Sequence, residues 1–86
     1  MAERTVAIAS KVGLHARPAM LFTQAVAASG AGVTIARPGG SPVDASSILF
    51  VMGMGVKHGE EVVLASDDEK ALEDLVAMLA TDLDAE

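Results

Sequence analysis

The sequence has no cysteine, no tryptophan and no tyrosine, and its aromatic content is Phe22 and Phe50. Without cysteine, disulfides, zinc–thiolate sites and thiol nucleophiles are excluded. A small chain with no covalent staple also suits a reducing compartment. Long apolar runs are missing too. The run Ile48 to Met52, like every other in the chain, falls far short of the ~20 residues a spanning helix needs, so no membrane insertion is expected. The N-terminal stretch MAERTVAIAS has no basic segment followed by an apolar run, which argues against a signal peptide and for a cytoplasmic location. Positive charge is scarce: six Lys and Arg stand against twelve Asp and Glu, a net charge of −6. That balance argues against general nucleic-acid binding, which needs a basic face.

What is present is a chain of 86 residues, 51% hydrophobic and rich in Ala, Val, Leu and Met. This is enough for a single domain spanning residues 1–86 with one modest core, and it argues against disorder. The charges are segregated. Eight of the twelve acids fall between Asp67 and Glu86, whereas the first forty residues carry Arg4, Lys11, Arg17 and Arg37 against Glu3 alone.

Hydrophobic periodicity predicts the elements. Arg4–Ser10 alternates, with Val6 and Ile8 on one face, and reads as a strand. Lys11–Leu14 is a loop. From Ala16 to Ser29 the positions Ala19, Phe22, Thr23 and Val26 form one helical stripe. Pro18 is tolerated only in a first turn, so the helix starts near residue 15 or 16, and Ser29-Gly30 stops it. Val33–Ala36 is a second strand, Pro38–Pro42 a turn and Pro42–Ala45 a short third strand. Ser46-Ser47 opens a short helix ending near Gly53 or Gly55, although periodicity alone also permits a buried strand there. Glu61–Ser66 is a fourth strand. Ser66-Asp67-Asp68-Glu69 fits a capping box, and Leu72, Leu75, Val76, Leu79 and Leu83 form the stripe of a last helix from Lys70 to about Asp84. The order βαββαβα predicts an α+β fold with one sheet and helices layered on one face.

The chemistry concentrates in Gly13–Met20, GLHARPAM. A helix beginning at Ala16 puts His15 at its N-cap, where free backbone N–H groups and the helix dipole favour an anion. Arg17 adds a guanidinium fork suited to phosphate oxygens. Pro18 fixes the first turn without wasting a donor. Free imidazole titrates near pH 6.5, so a histidine in such a place can act as an uncharged nucleophile. A nucleophilic nitrogen facing an anion-accepting turn is the arrangement for a covalent phosphohistidine. The simpler reading of a histidine at a helix start is a cap or a surface residue. His58, in the loop KHGE, reads as a solvated side chain, and a metal site of His15 and His58 lacks a third ligand.

GLHARP after a first strand, followed by a helix and later by ASSILFVMGMGVKHGEEVVLAS, resembles the HPr family, the histidine-containing phosphocarriers of the bacterial sugar phosphotransferase system. The resemblance runs through nearly the whole chain. It implies an open-faced β-sandwich with a four-stranded antiparallel sheet and three helices on one face. It implies a stoichiometric carrier rather than an enzyme, with no cofactor and no metal, acting as a cytoplasmic monomer. His15 would accept the phosphoryl group on Nδ1, Arg17 would neutralise it, and Ala16 and Pro18 would shape the turn that supports it. Enzyme I would be the donor and the IIA domains of sugar permeases the acceptors. Met20, Ile48, Leu49 and Met52 would dock both partners, with Phe50 and Val51 in the core.

By the same resemblance Ser47, with Ser46 as its neighbour, is the position for regulatory phosphorylation by a serine kinase. Ala45-Ser46 stands where many relatives have a basic residue. Transcriptional regulators are further partners in this family. The alternatives are a regulatory docking module of the same fold and a carrier in a related non-sugar phosphorelay. A phosphatase or mutase is disfavoured, because so few polar side chains leave no evident general acid or substrate pocket.

Overall fold

The computed structural model describes residues 2–81. Seven elements follow in order: β1 (Ala2–Ala7), α1 (Ala16–Ser29), β2 (Val33–Ala36), β3 (Val43–Asp44), α2 (Ile48–Gly53), β4 (Glu61–Ser66) and α3 (Glu69–Leu79). The strands form one antiparallel sheet in the order β1-β4-β2-β3. With the three helices on one face, this is the open-faced α+β sandwich that the sequence led us to expect.

Register explains which residues the sheet buries. Val6 lies opposite Val62, and Leu64 lies between Arg4 and Ile35. With a side-chain period of two, the pairing turns Val6, Val62, Leu64, Val33 and Ile35 to the helix side, where all five are buried. The helices supply the other half of the core: Phe22 and Val26 from α1, Val51 from α2, and Leu72, Leu75 and Leu79 from α3. α1 packs against both α2 and α3, while α3 lies across β1 and β4. Phe22 is fully buried, and truncating a phenylalanine in such a place costs ~3–5 kcal/mol.

Several boundaries differ from the sequence reading. β1 runs over Ala2–Ala7 rather than Arg4–Ser10. It starts earlier because Ala2 pairs with Ser66 at the end of β4. It stops earlier because the chain then leaves the sheet. Ile8 still exchanges backbone bonds with the turn before β4, donating to the Glu60 carbonyl and accepting from the Gly59 N–H, both at 2.9 Å. Ala9 N–H instead donates to the Leu79 carbonyl at the end of α3, at 3.1 Å. β3 keeps only Val43 and Asp44, paired with Ile35 and Thr34. Pro42 has no N–H to add to that ladder.

The helix cap also moves. Asp68, not Ser66, is the N-cap of α3, and its carboxylate accepts the Ala71 N–H at 3.1 Å. Ser66 still belongs to β4, and its hydroxyl accepts the Asp68 N–H at 3.1 Å, turning the chain into the cap. α3 ends at Leu79 with Ala80 as C-cap. Ala80 and Thr81 are no longer helical, and residues 82–84 of the anticipated span, Leu83 among them, lie outside the described residues. The Ile48–Gly53 segment is a helix, so the strand alternative falls. Phe50 is 55% exposed, which overturns its assignment to the core, while Val51 is fully buried. Among the described residues no helix is long and apolar enough to cross a membrane.

Candidate functional site

His15 is the N-cap of α1, with extended backbone angles (φ −131°, ψ 155°), and its side chain makes no capping hydrogen bond. Two anchors hold it at the surface. On one side Leu14 is buried and its N–H donates to the Val56 carbonyl at 3.0 Å. On the other, Pro18 and Ala19 are buried in the first turn of α1. Between the anchors His15, Ala16 and Arg17 are exposed. Ala16 has φ +47°, a left-handed conformation that costs a non-glycine residue ~1–2 kcal/mol. The chain therefore turns sharply where the imidazole projects. The N–H groups of Ala16 and Arg17 open the helix and have no intrahelical acceptor. Arg17 has no ion pair among the described residues.

Gly13 makes this turn possible. It adopts φ +74°, and a Cβ there would collide with the Val56 carbonyl oxygen and press on Lys57 Cα. Its N–H donates to the Ser10 carbonyl at 3.0 Å. The same carbonyl accepts a second bond, from His58 Nδ1 at 3.1 Å. His58 is exposed, yet it ties two loops together instead of only meeting solvent. That bond fixes the proton on Nδ1 and takes this nitrogen out of any ligand set. Ser10 Oγ, just below, is buried without a hydrogen-bond partner.

The large apolar side chains that remain exposed are Val12, Met20, Ile48, Leu49 and Phe50. They are confined to the loop before His15, to α1 and to α2, and α1 and α2 pack on each other. Met20 at 42% exposure and Leu49 at 82% stand furthest out on their helices among the residues anticipated for docking, with Ile48 at 38% and Met52 half-buried. Val12 and Phe50 join this surface and were missed. A signal for Phe50 existed. A helix turns about 100° per residue, so with Val51 pointing into the core, Ile48 lies about 60° from the buried direction, Phe50 and Met52 about 100°, and Leu49 about 160°. Exposure follows that order broadly, and a six-residue helix has room to bury only one of these side chains. For Val12 the alternation of its neighbours carried no such signal.

Ser47 caps α2, its Oγ accepting the Phe50 N–H at 3.4 Å. Ser46 is held by Asp44, whose Oδ1 accepts its hydroxyl at 2.7 Å and its N–H at 2.9 Å. These bonds, the hydroxyl's first, hold the Asp44 carboxyl below its ordinary pKa. A hollow of about 880 Å³ lies at the other end of the sheet between Val33, Val43 and Asp68, and His15 lines no part of it. The histidine is exposed at the surface.

Comparison with known proteins agrees with this arrangement. The family model described as the PTS HPr component phosphorylation site matches residues 2–81. The chain is 52% identical to the phosphocarrier protein HPr of Streptomyces coelicolor, over 98% of this chain and 94% of that one. It is 38% identical to the HPr-like protein Crh of Bacillus subtilis, over 90% and 93%. The crystal structure of HPr-C-His from Thermoanaerobacter tengcongensis superposes with a TM-score of 0.89 at 35% identity, covering 100% of this chain and 99% of that one. A histidine left free at a helix mouth, on an open α+β sandwich, with relatives matched from end to end, means that this chain belongs to the HPr family of phosphotransferase-system phosphocarriers.

Proposed function

We propose that the protein carries a phosphoryl group on His15, accepting it from the phosphohistidine of enzyme I and passing it to IIA domains of sugar permeases in the cytoplasm. In acceptance, the Nδ1 lone pair of a His15 protonated on Nε2 attacks phosphorus. The donor P–N bond breaks, and its electron pair returns to the donor imidazole. The observation that carries this reading is the His15 side chain itself, exposed at the mouth of α1 and not spent on capping. Arg17, in the same turn and without a carboxylate partner among the described residues, neutralises the incoming charge, with the Ala16 and Arg17 N–H groups as donors. Ala16 and Pro18 shape that turn.

An open site also suits a carrier. Each 1.4 kcal/mol of extra hold on the phosphoryl group would shift the transfer equilibrium about tenfold against release, so one arginine on open surface is better matched to the task than a deep cage. Met20, Ile48, Leu49 and Met52, joined by Phe50 and Val12, form the surface on which donor and acceptor alternate. Methionine side chains adapt to more than one partner. Ser47 serves as a helix cap. A kinase that phosphorylated it would place the new charge beside the ionised Asp44, in the turn where Ser47 N–H meets the Asp44 carbonyl at 3.2 Å. A purely regulatory docking module would give no use to a free, exposed His15.

The test is intact-mass spectrometry after incubation with phosphoenolpyruvate and enzyme I. The protein gains one acid-labile phosphoryl group, and His15→Ala gains none while keeping its fold. An adduct retained by His15→Ala, or no adduct on the wild type with enzyme I shown to be active, overturns the reading.

A further inference from the structure

Arg37 follows β2 directly, more than twenty residues from His15 in sequence, and nothing about its position suggests a part in phosphoryl transfer. Its guanidinium nevertheless makes three bonds to one short stretch of backbone and side chain. Nη1 donates to Glu60 Oε2 at 3.0 Å. Nη2 donates to the Met54 carbonyl at 2.9 Å and the Gly55 carbonyl at 3.2 Å, just beyond the end of α2. The other oxygen of Glu60 accepts the Lys57 N–H at 2.7 Å. Those two hydrogen bonds, the Lys57 one first, hold the Glu60 carboxyl below its ordinary range. Arg37 thus grips both ends of the segment from Met54 to Glu60.

The residue in the middle of that grip is Val56. It is buried, and its carbonyl accepts the Leu14 N–H at 3.0 Å. Gly13 is fitted against the same carbonyl with no space for a Cβ. His15 is the next residue after Leu14. A shift of the 54–57 backbone must therefore displace Leu14, and with it the imidazole. The same shift moves the end of α2, whose exposed apolar face is the docking surface.

We propose that Arg37 is a positioning residue: it fixes the docking face of α2 relative to His15, so that a partner seated on one meets the other in reacting geometry. An isolated surface ion pair would do little, since Arg37 and Glu60 are each 41% exposed. The effect comes from the fork, which reaches a carboxylate and two carbonyls together. A lysine ammonium has neither the planar fork nor that reach.

In its catalytic arm this inference rests on His15 being the acceptor; its structural arm does not. The structural arm is amide hydrogen exchange on Arg37→Ala, Arg37→Lys and Glu60→Gln. In Arg37→Ala the Leu14 and Lys57 amides exchange at least about tenfold faster while those of β4 keep their protection, the mark of a local opening and not global unfolding. Arg37→Lys falls between, and Glu60→Gln, which removes the charge but keeps an acceptor for Lys57, opens Leu14 less than Arg37→Ala.

The catalytic arm is single-turnover transfer from phosphorylated enzyme I, read as rate against carrier concentration. Misalignment lowers the saturating rate about tenfold and leaves half-saturation within about twofold. Merely unfolding part of the carrier would do the reverse, raising half-saturation by dilution of competent acceptor. Leu14 protection unchanged in Arg37→Ala, or lost together with that of β4 in all three variants, overturns the proposal. So does a saturating rate equal to that of the wild type. A wild type that accepts no phosphoryl group would sink the carrier reading, and the exchange arm would still decide the coupling.

Discussion

Gly13 shows how much of this site rests on single atoms. Its positive φ and the Val56 carbonyl oxygen standing where its Cβ would go are separate demands. The first penalises any L-residue, and the second penalises any Cβ. Gly30 makes only the first demand: it ends α1 at φ +70° with nothing near the place of a Cβ. Gly30→Ala is expected to cost ~1–2 kcal/mol, the left-handed penalty alone. Gly13→Ala is expected to cost more than ~2 kcal/mol, because backbone must also move. It should further slow phosphoryl transfer, since what moves is the loop that ends in His15. Urea unfolding of both variants, with transfer rates measured on each, checks the pair. Equal losses of stability would mean that the 13–56 contact yields freely and does not hold the histidine.

Residues of this kind were partly legible in the sequence. A glycine two residues before a histidine, with proline three residues after it, marked a tight turn into a helix. Which backbone the glycine approaches was not legible, because Val56 is forty-three positions away. The Arg37–Glu60 bond, across 23 residues, was hidden for the same reason: periodicity reports on neighbours along a helix or strand, and long-range polar contacts leave no period.

At the scale of elements, the sequence showed the order of strands and helices and the inward faces of the long ones. It erred where a helix is short or a cap is shared. In α3 three consecutive residues, Ser66, Asp67 and Asp68, are all good caps, and the strand's claim on Ser66 decided for Asp68. In α2 two of five consecutive apolar residues, Phe50 and Val51, read as core, yet of these only Val51 is buried. Met52 packs against the core only in part, and Ile48, Leu49 and Phe50 are exposed, so docking and folding can be tested separately on this helix. Leu49, 82% exposed, has little folding role to lose. Leu49→Asp is expected to weaken binding to enzyme I by at least about tenfold, within the ~2 kcal/mol scale of a central interface residue, with stability within about 0.5 kcal/mol of wild type. Arg17→Ala should do the opposite, lowering the saturating transfer rate more than the affinity. Titration calorimetry and single-turnover kinetics on both variants distinguish the two. The opposite pattern would mean that α2 does not carry the docking and that Arg17 does.

Across the whole molecule, charge is sorted along the sheet. The Ala7–Glu61 end leads to the loops that carry Lys11, Lys57 and His58 and to Arg17 in the first turn of α1, all exposed, against the exposed carboxylate of Glu61. At the Ala2–Ser66 end Asp44, Asp67, Asp68 and Glu69 surround the large hollow. Arg37 lies toward the basic end, but Glu60 already neutralises it. The longest dimension is 31 Å, several times the ~8 Å screening length at physiological ionic strength. An approaching protein therefore senses the end it faces and not the net charge of −6.

For a partner with an acidic face around its own reacting group, the basic end steers the carrier in with His15 leading. Association with enzyme I, followed by stopped flow, is then expected to slow about tenfold as salt rises from ~0.05 to ~0.5 M, with dissociation little changed. The double variant Lys11→Gln, Lys57→Gln should associate several-fold more slowly at low salt and lose most of that salt dependence, because both cations flank the site without touching the Arg37 side-chain bonds. Net-charge control predicts the reverse in both respects. Two negatively charged proteins would associate faster as salt screens them, and removing two lysines would make the repulsion worse and the acceleration by salt steeper. The sign of the salt slope alone therefore decides whether this acidic protein presents itself to enzyme I as an anion or by its basic end.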